Sequence, residues 1–347
     1  MTYLGNIWYQ AGWPEEIDEG RTLARTILGR PLLFFRDADG RPAAVLDRCP
    51  HRFAPLSAGK YADGVVTCGY HGLAFDGAGR CAHNPHGKAT GAIRVESFAA
   101  AERHQVLWVW MGDAALADPD RIPDLSFIDE TPPTAVIKGL MPTNAEYRLL
   151  IDNIMDLSHA DYLHPTTLGG TFTDAKMTVL HDGDSITVEY RSIDCEPAPA
   201  LRVMVPPPLR ADVRVDARWH PPGVMVIGVS AHPTGTPPNP AADNFTLHSM
   251  TPETADRTHY FYCSTRPFQT DDVELSRSLK AILEQAFAEE DKPMLEKQQQ
   301  RIGDADFWSL KPLLLPVDSA AVQVRRKLEA LIEAQQADPP RQAARQA

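Results

Sequence analysis

The chain has 347 residues, of which 43% are hydrophobic and 23% charged, and these values are typical of an ordinary globular protein with material for two domains. Its net charge of -12 argues against binding to nucleic acid or to an anionic membrane, because neither surface attracts so acidic a chain. Five scattered cysteines, with no secretory leader and no apolar run of membrane-spanning length, predict a cytoplasmic protein without a disulfide framework.

The N-terminal third of the chain is predicted to be β-structure. The apolar runs PLLFF and AAVL are separated by RDADGR, whose Asp-Gly step is typical of a hairpin turn, and GVVTCGYHGLAF repeats the arrangement. The segment GAGRCA, near residue 77, is similar to a dinucleotide fingerprint, but Pro85 and Gly87 follow it instead of a helix. A further hairpin turn is therefore predicted there.

Two loops in this region carry one cysteine and one histidine each. Cys49 and His51 form C-x-H, and Cys68 and His71 form C-x-x-H. Thiolates keep iron in iron–sulfur clusters, and neutral imidazoles raise the reduction potential of the iron they bind, so two of each suit a Rieske [2Fe–2S] centre. A structural zinc site is the alternative, but zinc fingers pair Cys with Cys and His with His along the chain. The mixed loops therefore favour the cluster.

Changes in composition predict the domain boundaries. The apolar run VLWVW closes the β-rich part, and the Pro- and Asp-rich stretch from residue 112 to residue 133 is interpreted as the passage between domains. We expect one domain at residues 1–112 and a second at residues 113–335. Residues 336–347 are polar with a Pro pair and are predicted to be disordered.

The segment EYRLLIDNIMDLSHADYLHP, beginning at Glu146, has the periodicity of an amphipathic helix. Its apolar face consists of Leu149, Leu150, Ile154 and Leu157. On a neighbouring face Asn153, Asp156 and His159 recur at three-residue spacing. His159 and His164 are five residues apart, so both reach one metal only if the helix bends or ends between them. Two interfacial histidines without a metal are the alternative.

Two histidines and one carboxylate make the facial triad of a non-haem Fe(II) oxygenase. The carboxylates nearest in sequence are Asp152, Asp156 and Asp161. A better candidate lies in a long amphipathic helix predicted from residue 272 to residue 302, where Pro293 should kink the chain near Glu290 and Asp291. A kink that aims a carboxylate inward suits a ligand, whereas an exposed acidic run is the ordinary alternative.

Together these motifs resemble the oxygenase component of the Rieske non-haem iron oxygenases and, within that family, the vanillate and dicamba O-demethylase group. The resemblance is carried by CPHRFAPLSAGK, CGYHGLAFDGAGRCAHNPHG, NIMDLSHADYLH and EEDKPMLEKQQQ, and it runs from NIWYQAGWPEEI to SAAVQVRRKLEALIEAQ. It implies an α+β chain with an N-terminal all-β Rieske [2Fe–2S] domain. The C-terminal catalytic domain would be a helix-covered antiparallel sheet.

The resemblance also implies which residues hold the metals. The cluster ligands would be Cys49, His51, Cys68 and His71. The ligands of the mononuclear Fe(II) would be His159, His164 and Asp291. Asp291 matches the family's E-D-x-x-x-x-E pattern, with Glu290 as the alternative, and Asn153 would lie beside the iron.

In this family, cluster and iron within one subunit are too far apart for useful electron transfer, and the subunits form a head-to-tail trimer. The resemblance therefore implies a homotrimer that closes into a ring. Asp156 would hydrogen-bond to His71 of the partner subunit and to a histidine ligand of its own iron.

The electrons must come from another polypeptide, because the chain has no convincing nucleotide fingerprint and no second cysteine cluster. We expect a separate NAD(P)H-dependent reductase, a ferredoxin, or both. Arg48, Arg52 and Lys60 lie near the cluster motif in sequence and would form a basic patch for an acidic ferredoxin.

The implied reaction is O2-dependent O-demethylation of a small methoxylated aromatic compound, expected to bear a carboxylate. N-demethylation, methyl hydroxylation and ring hydroxylation use the same machinery and are alternatives, and a Rieske electron carrier is a third possibility. His248 occurs where members of the group carry a histidine near the substrate, and it would contact the substrate or form a structural hydrogen bond. The proline- and aliphatic-rich stretch from Leu201 to Pro240 is expected to supply strands and loops to the pocket.

Overall fold

The computed structural model describes residues 3–337, and these form two compact units. One unit comprises the described residues up to Asp124, with residues 251–255 and 332–337; the other comprises Leu125–Met250 and Asp256–Leu331. The division after Asp124 falls inside the predicted passage, and the boundary at residue 112 stays a prediction. Of the tail predicted to be disordered, residues 338–347 lie outside the described residues, whereas Gln336 and Ala337 end the last helix.

The first unit is built from short antiparallel strands in small sheets. The strands are β1 (Ile7–Gly12), β2 (Leu23–Ile27), β3 (Arg30–Arg36), β4 (Pro42–Leu46), β5 (Lys60–Ala62), β6 (Val65–Thr67), β7 (Ala74–Asp76), β8 (Cys81–His83), β9 (Ser97–Phe98), β10 (Ala100–Arg103) and β11 (Val106–Met111). They pair in the orders β1-β11-β10, β2-β3-β4-β9 and β5-β6-β7-β8. The predicted hairpins β3-β4 and β6-β7 are confirmed, and GAGRCA includes the turn between β7 and β8.

The core of the first unit explains how its cysteine–histidine loops are held. Every residue of β11 is buried, as are Leu32–Phe35 of β3, because these strands are continuous apolar runs. Cys49 and Cys68 belong to the same buried cluster. Each cysteine therefore anchors its loop in the core, at the ends of strands that are themselves fixed by packing.

The centre of the second unit is a seven-stranded antiparallel sheet in the order β12-β18-β17-β16-β15-β14-β13. Its strands are β12 (Val136–Thr143), β13 (Lys176–Asp182), β14 (Ser185–Cys195), β15 (Ala211–His220), β16 (Val224–Pro233), β17 (Asn244–Thr254) and β18 (Arg257–Thr265). In β15 buried and half-buried residues alternate strictly, which is the pattern of a strand with one face on the core. The helices are α1 (Ser126–Glu130), α2 (Tyr147–Met155), α3 (Ala160–Leu163), α4 (Val273–Glu284), α5 (Lys292–Ile302) and α6 (Ser319–Ala337).

The predicted helix after Glu146 is interrupted before His159 and ends between the two histidines. α2 ends at Met155, and Asp156 leaves the helical conformation with φ -125° and ψ 89°. The Asp156 carboxylate then accepts the N–H of Ser158 and caps a 3-10 turn at Leu157–His159, which leads directly into α3. α3 ends at Leu163 and His164 is its C-cap, so the expected helix end between the two histidines is confirmed, and the break before His159 is an additional one. The apolar face of α2 is buried as predicted.

The predicted interruption near Glu290 and Asp291 is confirmed, and it takes the form of a π-helical segment. Residues Gln285–Asp291 form this segment between α4 and α5, and Pro293 stands in the first turn of α5. Proline is tolerated there because the first turn of a helix does not use its N–H groups. π-helical turns are often found at functional sites. None of the helices within residues 3–337 combines the length and apolar composition needed to cross a membrane.

Candidate metal centres

The two cysteine–histidine loops of the first unit share one backbone conformation. The Cys49 carbonyl accepts the N–H of Phe53, and the Cys68 carbonyl accepts the N–H of Gly72, in each case four residues later. Each cysteine N–H in turn donates to the carbonyl five residues on. Phe53 and Gly72 both have left-handed φ values, 60° and 76°, and glycine adopts this conformation without steric cost. The loops are therefore equivalent although their Cys-to-His spacings differ.

The side chains of these loops form a thiol pair and an imidazole pair. Cys49 and Cys68 are buried free thiols, and burial raises the pKa of the Cys49 thiol. His51 is exposed and His71 is half-buried, and the centroids of their rings are 4.5 Å apart. Two buried thiols beside two neighbouring imidazoles are the donors of a Rieske cluster, in which one iron takes two cysteines and the other two histidines. The donor set present fits this cofactor.

The surface around the two histidines is aromatic and basic. Phe53 is 69% exposed and Tyr70 63% exposed, although large aromatic side chains are usually buried. The Arg48 guanidinium lies 5.6 Å from the centre of the Phe53 ring. Arg48, Arg52 and Lys60, the residues of the predicted basic patch, are all exposed.

A second group of possible ligands lies in the second unit. One ligand atom each from His159, His164 and Asp291 lie within 4.8 Å of one another. The Asp291 Oδ1 atom is 3.1 Å from Nε2 of His164 and 3.4 Å from Nε2 of His159. Two imidazoles and one carboxylate on one side of a small space are the donor set of a facial triad, which leaves other positions open. This set fits a mononuclear Fe(II).

The charges of this group favour an ionised carboxylate. Burial by itself would raise the pKa of Asp291, but hydrogen bonds with His159 and His164 lower it to about 2. Burial opposes protonation of His164, yet the hydrogen bonds with Asp291 and Glu290 raise the pKa of its imidazole. The buried negative charge is thus compensated only by histidines, which is the electrostatic condition that a cation relieves.

Glu290 lies on the opposite edge of the His164 ring. Its Oε2 atom is 2.6 Å from Nδ1 of His164, while Nε2 faces Asp291. Thr167 Oγ1 and Gln285 Nε2 donate to the Glu290 carboxylate at 3.0 and 2.9 Å. An outer carboxylate in this position orients a metal-binding imidazole. Sequence reasoning considered Glu290 only as an alternative ligand, and it missed Thr167 and Gln285. The one local signal was for Thr167, which follows His164 by three residues.

Asn153 and Asp156 both touch this group. Asn153 Nδ2 donates to Asp291 Oδ1 at 3.0 Å and lies 3.3 Å from Nε2 of His159. His159 Nδ1 hydrogen-bonds to the main-chain carbonyl of Asp156, while the Asp156 carboxylate accepts from the N–H and hydroxyl of Ser158. The expected link between Asp156 and a histidine of its own subunit therefore runs through the main chain.

The other two nearby carboxylates serve different partners. Asp152 makes a buried ion pair with Arg325, with 2.7 Å between Nε and Oδ2. The Asp161 carboxylate accepts the main-chain N–H groups of residues 170–173. Neither carboxylate is among the atoms grouped around the two histidines.

A cavity of about 130 Å³ adjoins the three grouped side chains. His248 lines it, and so do Leu201, Val215, Ile227 and Val229 from the stretch expected to form the pocket. Nδ1 of His248 is 2.6 Å from the hydroxyl of Tyr260, and burial lowers the pKa of His248 to about 3. Both expected roles of His248, substrate contact and structural hydrogen bond, are therefore compatible with its position, because it lines the cavity and makes a buried hydrogen bond. Tyr260 carries no signal in the sequence that would have identified it.

Comparison with known proteins places both regions in one family. Residues 7–99 match the Rieske [2Fe-2S] domain, and residues 143–334 match the vanillate O-demethylase oxygenase C-terminal domain. The chain belongs to the Rieske non-haem iron oxygenases. Family members align with this chain over nearly its whole length, so the similarity extends to both units.

Three relatives illustrate the range of this Rieske oxygenase group. The dicamba O-demethylase oxygenase component of Stenotrophomonas maltophilia is 39% identical over 95% of this chain and 98% of its own length. The chloroacetanilide N-alkylformylase oxygenase component of Rhizorhabdus wittichii is 38% identical over 96% of this chain and 97% of its own. A crystal structure of dicamba monooxygenase with non-haem iron and dicamba superposes with a TM-score of 0.83, at 35% identity over 97% of this chain and 99% of that one.

Membership in the Rieske oxygenases decides several expectations. The α+β fold with an N-terminal Rieske domain and a C-terminal sheet with helices is confirmed. The protein is an oxidoreductase of the monooxygenase type, and its cofactors are a Rieske [2Fe–2S] cluster and a mononuclear iron. A simple Rieske electron carrier is excluded, because the C-terminal oxygenase domain is present. The component names of the relatives imply that electrons arrive from separate proteins.

Proposed function

We propose that this chain catalyses the O2-dependent O-demethylation of a small methoxylated aromatic compound. The observation that carries the proposal is the grouping of two imidazoles and one carboxylate within 4.8 Å at the wall of a mostly apolar cavity. Relatives that share both domains with this chain are named as O-demethylases of dicamba and vanillate. The reaction type is inferred from these relatives, whereas the cavity is an observation on this chain.

The proposed ligand assignment follows from the geometry of each group. Cys49, His51, Cys68 and His71 would hold the cluster. His159, His164 and Asp291 would hold the mononuclear iron, because these are the atoms that converge. Asp291 is preferred to Glu290 as ligand, since Glu290 meets the ring nitrogen of His164 that points away from the group. Residues 1–112 would thus be the electron-receiving domain and residues 113–335 the catalytic one.

When bound, the cluster supplies single electrons and the mononuclear iron supplies the activation of dioxygen. For the substrate, one oxygen atom enters a C–H bond of the methoxy group and gives a hemiacetal, which breaks into a phenol and formaldehyde. The other oxygen atom leaves as water, with two electrons from the partner reductase and two protons. Substrate, dioxygen and reductant thus balance for one methyl group removed.

The chain's own residues prepare the site for this reaction. The Glu290 carboxylate meets Nδ1 of His164 and the Asp156 carbonyl meets Nδ1 of His159, so both rings turn Nε2 toward Asp291, where the iron would be held. Asn153 donates to Asp291 Oδ1 and holds that carboxylate in place. The apolar lining of the cavity disfavours water there, which would protect a reactive oxidant from side reactions.

The working assembly would be a head-to-tail homotrimer in which Asp156 meets His71 of the partner subunit. Support comes from a second, larger cavity of about 540 Å³ that is lined by Asp156, His159 and Asn153. The apolar run at its rim is unusually exposed for a single chain, with Leu313 at 87% and Leu314 at 44%. A ring built this way requires every interface to close, so a monomer with both metals bound would be inactive.

The electron donor would be an acidic ferredoxin, or a reductase with a similar acidic face, that docks on the basic patch. Arg48, Arg52 and Lys60 are exposed in the unit that would hold the cluster. Charge complementarity of this kind raises association rates and is screened by salt. Arg52→Glu should slow reduction of the cluster at low ionic strength, and an unchanged rate would remove Arg52 from the patch. The cytoplasm is the proposed compartment, because it supplies NAD(P)H.

Turnover of the reconstituted protein with a ferredoxin and a reductase tests the function. A panel of methoxylated aromatic compounds would be supplied with O2 and NADH, and formaldehyde and phenol would be measured together. Formaldehyde equal to phenol for one member of the panel is the expected result. Oxygen uptake that yields a hydroxylated product or peroxide, without formaldehyde, would contradict O-demethylation.

N-dealkylation is the second candidate, since the chloroacetanilide N-alkylformylase component is 38% identical, nearly as similar as the dicamba enzyme. The cavity does not determine whether the attacked carbon is attached to oxygen or nitrogen. Matched pairs of N-methylanilines and anisoles in the same assay distinguish the two reactions. The member of each pair that releases formaldehyde shows which bond is attacked.

A further inference from the structure

Tyr260 and His248 form a buried hydrogen-bonded pair on the neighbouring strands β18 and β17. Each residue is 1% exposed, and 2.6 Å separates the Tyr260 hydroxyl from Nδ1 of His248. Burial raises the pKa of Tyr260 well above its ordinary value, so the hydroxyl keeps its proton and donates it to the hydrogen bond. Nδ1 of His248 is therefore the acceptor, and a neutral phenol faces a neutral base.

The pair lies beside the atoms that would bind the mononuclear iron. His248 lines the cavity that adjoins the triad of two histidines and Asp291. Burial is the main influence on the pKa of His248 and of Tyr260, and the charge of Asp291 is the next for each. Through His248 the phenol is connected to the place where dioxygen would react.

A second tyrosine follows Tyr260 on the same face of β18. Tyr262 is two residues later, and residues two apart in a strand point to the same side of the sheet. The Phe287 ring packs against both, with centroid distances of 6.1 Å to Tyr260 and 5.6 Å to Tyr262. Besides burial, the charge of the exposed Glu284 raises the pKa of Tyr262. The two phenols therefore lead from the cavity toward the exposed end of α4.

Dioxygen chemistry without a substrate would leave an oxidant in this cavity. Reduction of dioxygen to water takes four electrons and four protons. In a productive turnover the reductant supplies two electrons, and the attacked C–H bond supplies the other two. Tyrosine is among the most easily oxidised side chains, provided that a base within hydrogen-bond distance accepts its proton. The distance between Tyr260 and His248 satisfies this condition.

We propose that Tyr260 is a redox-active residue that reduces the oxidant remaining after dioxygen is activated without substrate. Tyr260 loses one electron, its O–H bond breaks, and an N–H bond forms at Nδ1 of His248. An electron from Tyr262 and the return of that proton restore Tyr260. Tyr262 releases its own proton to solvent and is restored by an electron from the partner reductase and a proton from water. Two such cycles supply both missing electrons, and solvent supplies the protons that complete water.

His248 can accept this proton although burial lowers its pKa to about 3. A phenol that has lost an electron is a much stronger acid than an imidazolium with that pKa, so the proton moves to Nδ1. The Asp291 carboxylate raises the pKa of His248 and stabilises the imidazolium that forms. The proposal uses only the oxygenase chemistry of the family and is independent of whether O-linked or N-linked methyl groups are removed.

Electron paramagnetic resonance of the holoenzyme tests the proposal. The protein is reduced, exposed to O2 without substrate and frozen at successive times. The oxidised cluster gives no signal by this method, so a free-radical signal is visible. We expect such a signal in the wild type, and we expect it to narrow in protein that contains ring-deuterated tyrosine. Oxygen consumption without a radical at any time would overturn the proposal.

Three variants assign the radical. Tyr260→Phe keeps the ring and should lose the signal. His248→Gln should also lose it, because an amide accepts a hydrogen bond but not a proton. Tyr9→Phe is the matched control and should keep it, since the buried Tyr9 hydroxyl donates to a main-chain carbonyl instead of a base. The signal of the reduced cluster and the iron content report folding. A radical that persists in Tyr260→Phe would overturn the assignment to Tyr260, and one that persists in His248→Gln would overturn the proton acceptor.

The protective effect has a separate readout. After repeated exposure to O2 without substrate, peptide mass spectrometry measures oxygen added to Leu283 and Phe287, which line the cavity. Addition should be greater in Tyr260→Phe than in the wild type and in Tyr9→Phe. Equal addition in all three proteins would overturn protection. No methoxylated compound is present in these experiments, so their failure leaves O-demethylation to be decided by formaldehyde release.

Discussion

The two candidate metal centres of this chain are built in opposite ways. The cluster loops lie within one short segment, Cys49 to His71, and each loop is closed by its own main-chain hydrogen bonds. The triad instead joins His164 to Asp291, which are 127 residues apart, and depends on a π-helical segment and a 3-10 turn. A site closed by local hydrogen bonds can be recognised from the spacing of its residues in the sequence. A site formed by packing of distant segments can be recognised only when its motifs are already known.

The centres also differ in their exposure. His51 is exposed and His71 half-buried, but His164 is 1% exposed and Asp291 2%. Electron transfer between proteins requires a cofactor near the surface, and oxygen chemistry requires a site from which water is excluded. Histidine therefore serves two purposes, according to whether a loop after a strand or a helix break presents it.

The largest expected effect is loss of one centre without the other. Asp291→Ala should remove the mononuclear iron and keep the cluster, and Cys68→Ser should do the reverse, with turnover lowered more than about 10³-fold in each, or about 4 kcal/mol. Iron content, visible absorption and electron paramagnetic resonance distinguish the two. Glu289→Ala, an exposed neighbour, is the control. If either variant lost both centres, the independence of the two sites would be wrong.

Acid should act on the second unit through a buried histidine. His220 lies in β15 with Nδ1 2.9 Å from the Ser185 hydroxyl, and burial lowers its pKa to about 4. An unfolded histidine titrates near 6.5, so the contribution to stability is complete above that pH and is lost as pH falls toward about 4. The loss approaches about 3 kcal/mol.

The thermal unfolding midpoint at pH 7 and pH 4.5 measures this loss. His220→Gln should show a smaller decrease in midpoint between the two pH values than the wild type. His83→Gln, an exposed histidine of the first unit, should behave as the wild type does. Equal decreases in His220→Gln and wild type would show that His220 does not cause the acid sensitivity.

Glu290→Gln should weaken the mononuclear site by about 10-fold to 100-fold in iron affinity or turnover, because the amide no longer fixes His164 by a charged hydrogen bond. Glu289→Gln, one residue earlier and exposed, is the control for charge. Iron titration of the iron-depleted variants gives the affinity. A tenfold effect in the control as well would point to the net charge of the π-helical segment.

The smallest expected effect concerns Asp161, whose carboxylate holds residues 170–173 through their main-chain N–H groups. Asp161→Asn keeps one acceptor oxygen and loses the charge, so local stability should decrease by about 1 kcal/mol. Hydrogen exchange of those four amides should accelerate accordingly. Asp174→Asn, an exposed carboxylate of the same loop, should leave the exchange unchanged.

Sequence reasoning was most successful where chain neighbours interact. The β3-β4 hairpin follows from two apolar runs separated by an Asp-Gly turn, and the β6-β7 hairpin from a repeat of the two-run arrangement; both are present. The interruption before Pro293 follows from the missing N–H of proline. The helix end between His159 and His164 was expected, but the additional break before His159 was not, because the capping of the Ser158 N–H by Asp156 competes with helix propagation and periodicity does not report it.

The amino-acid sequence by itself determined the chemistry that the protein carries: mixed Cys-His loops, a pair of histidines, and an acidic pair beside a proline. Those features are local, since they depend on residue type and short spacing. Only the tertiary structure decided that Glu290 lies behind His164 while Asp291 faces it, and that Tyr260 holds His248. Only the fold decided, too, that the cavity wall within the described residues lacks a cationic side chain. These are contacts between distant strands and helices, and packing creates them without leaving a pattern in the chain.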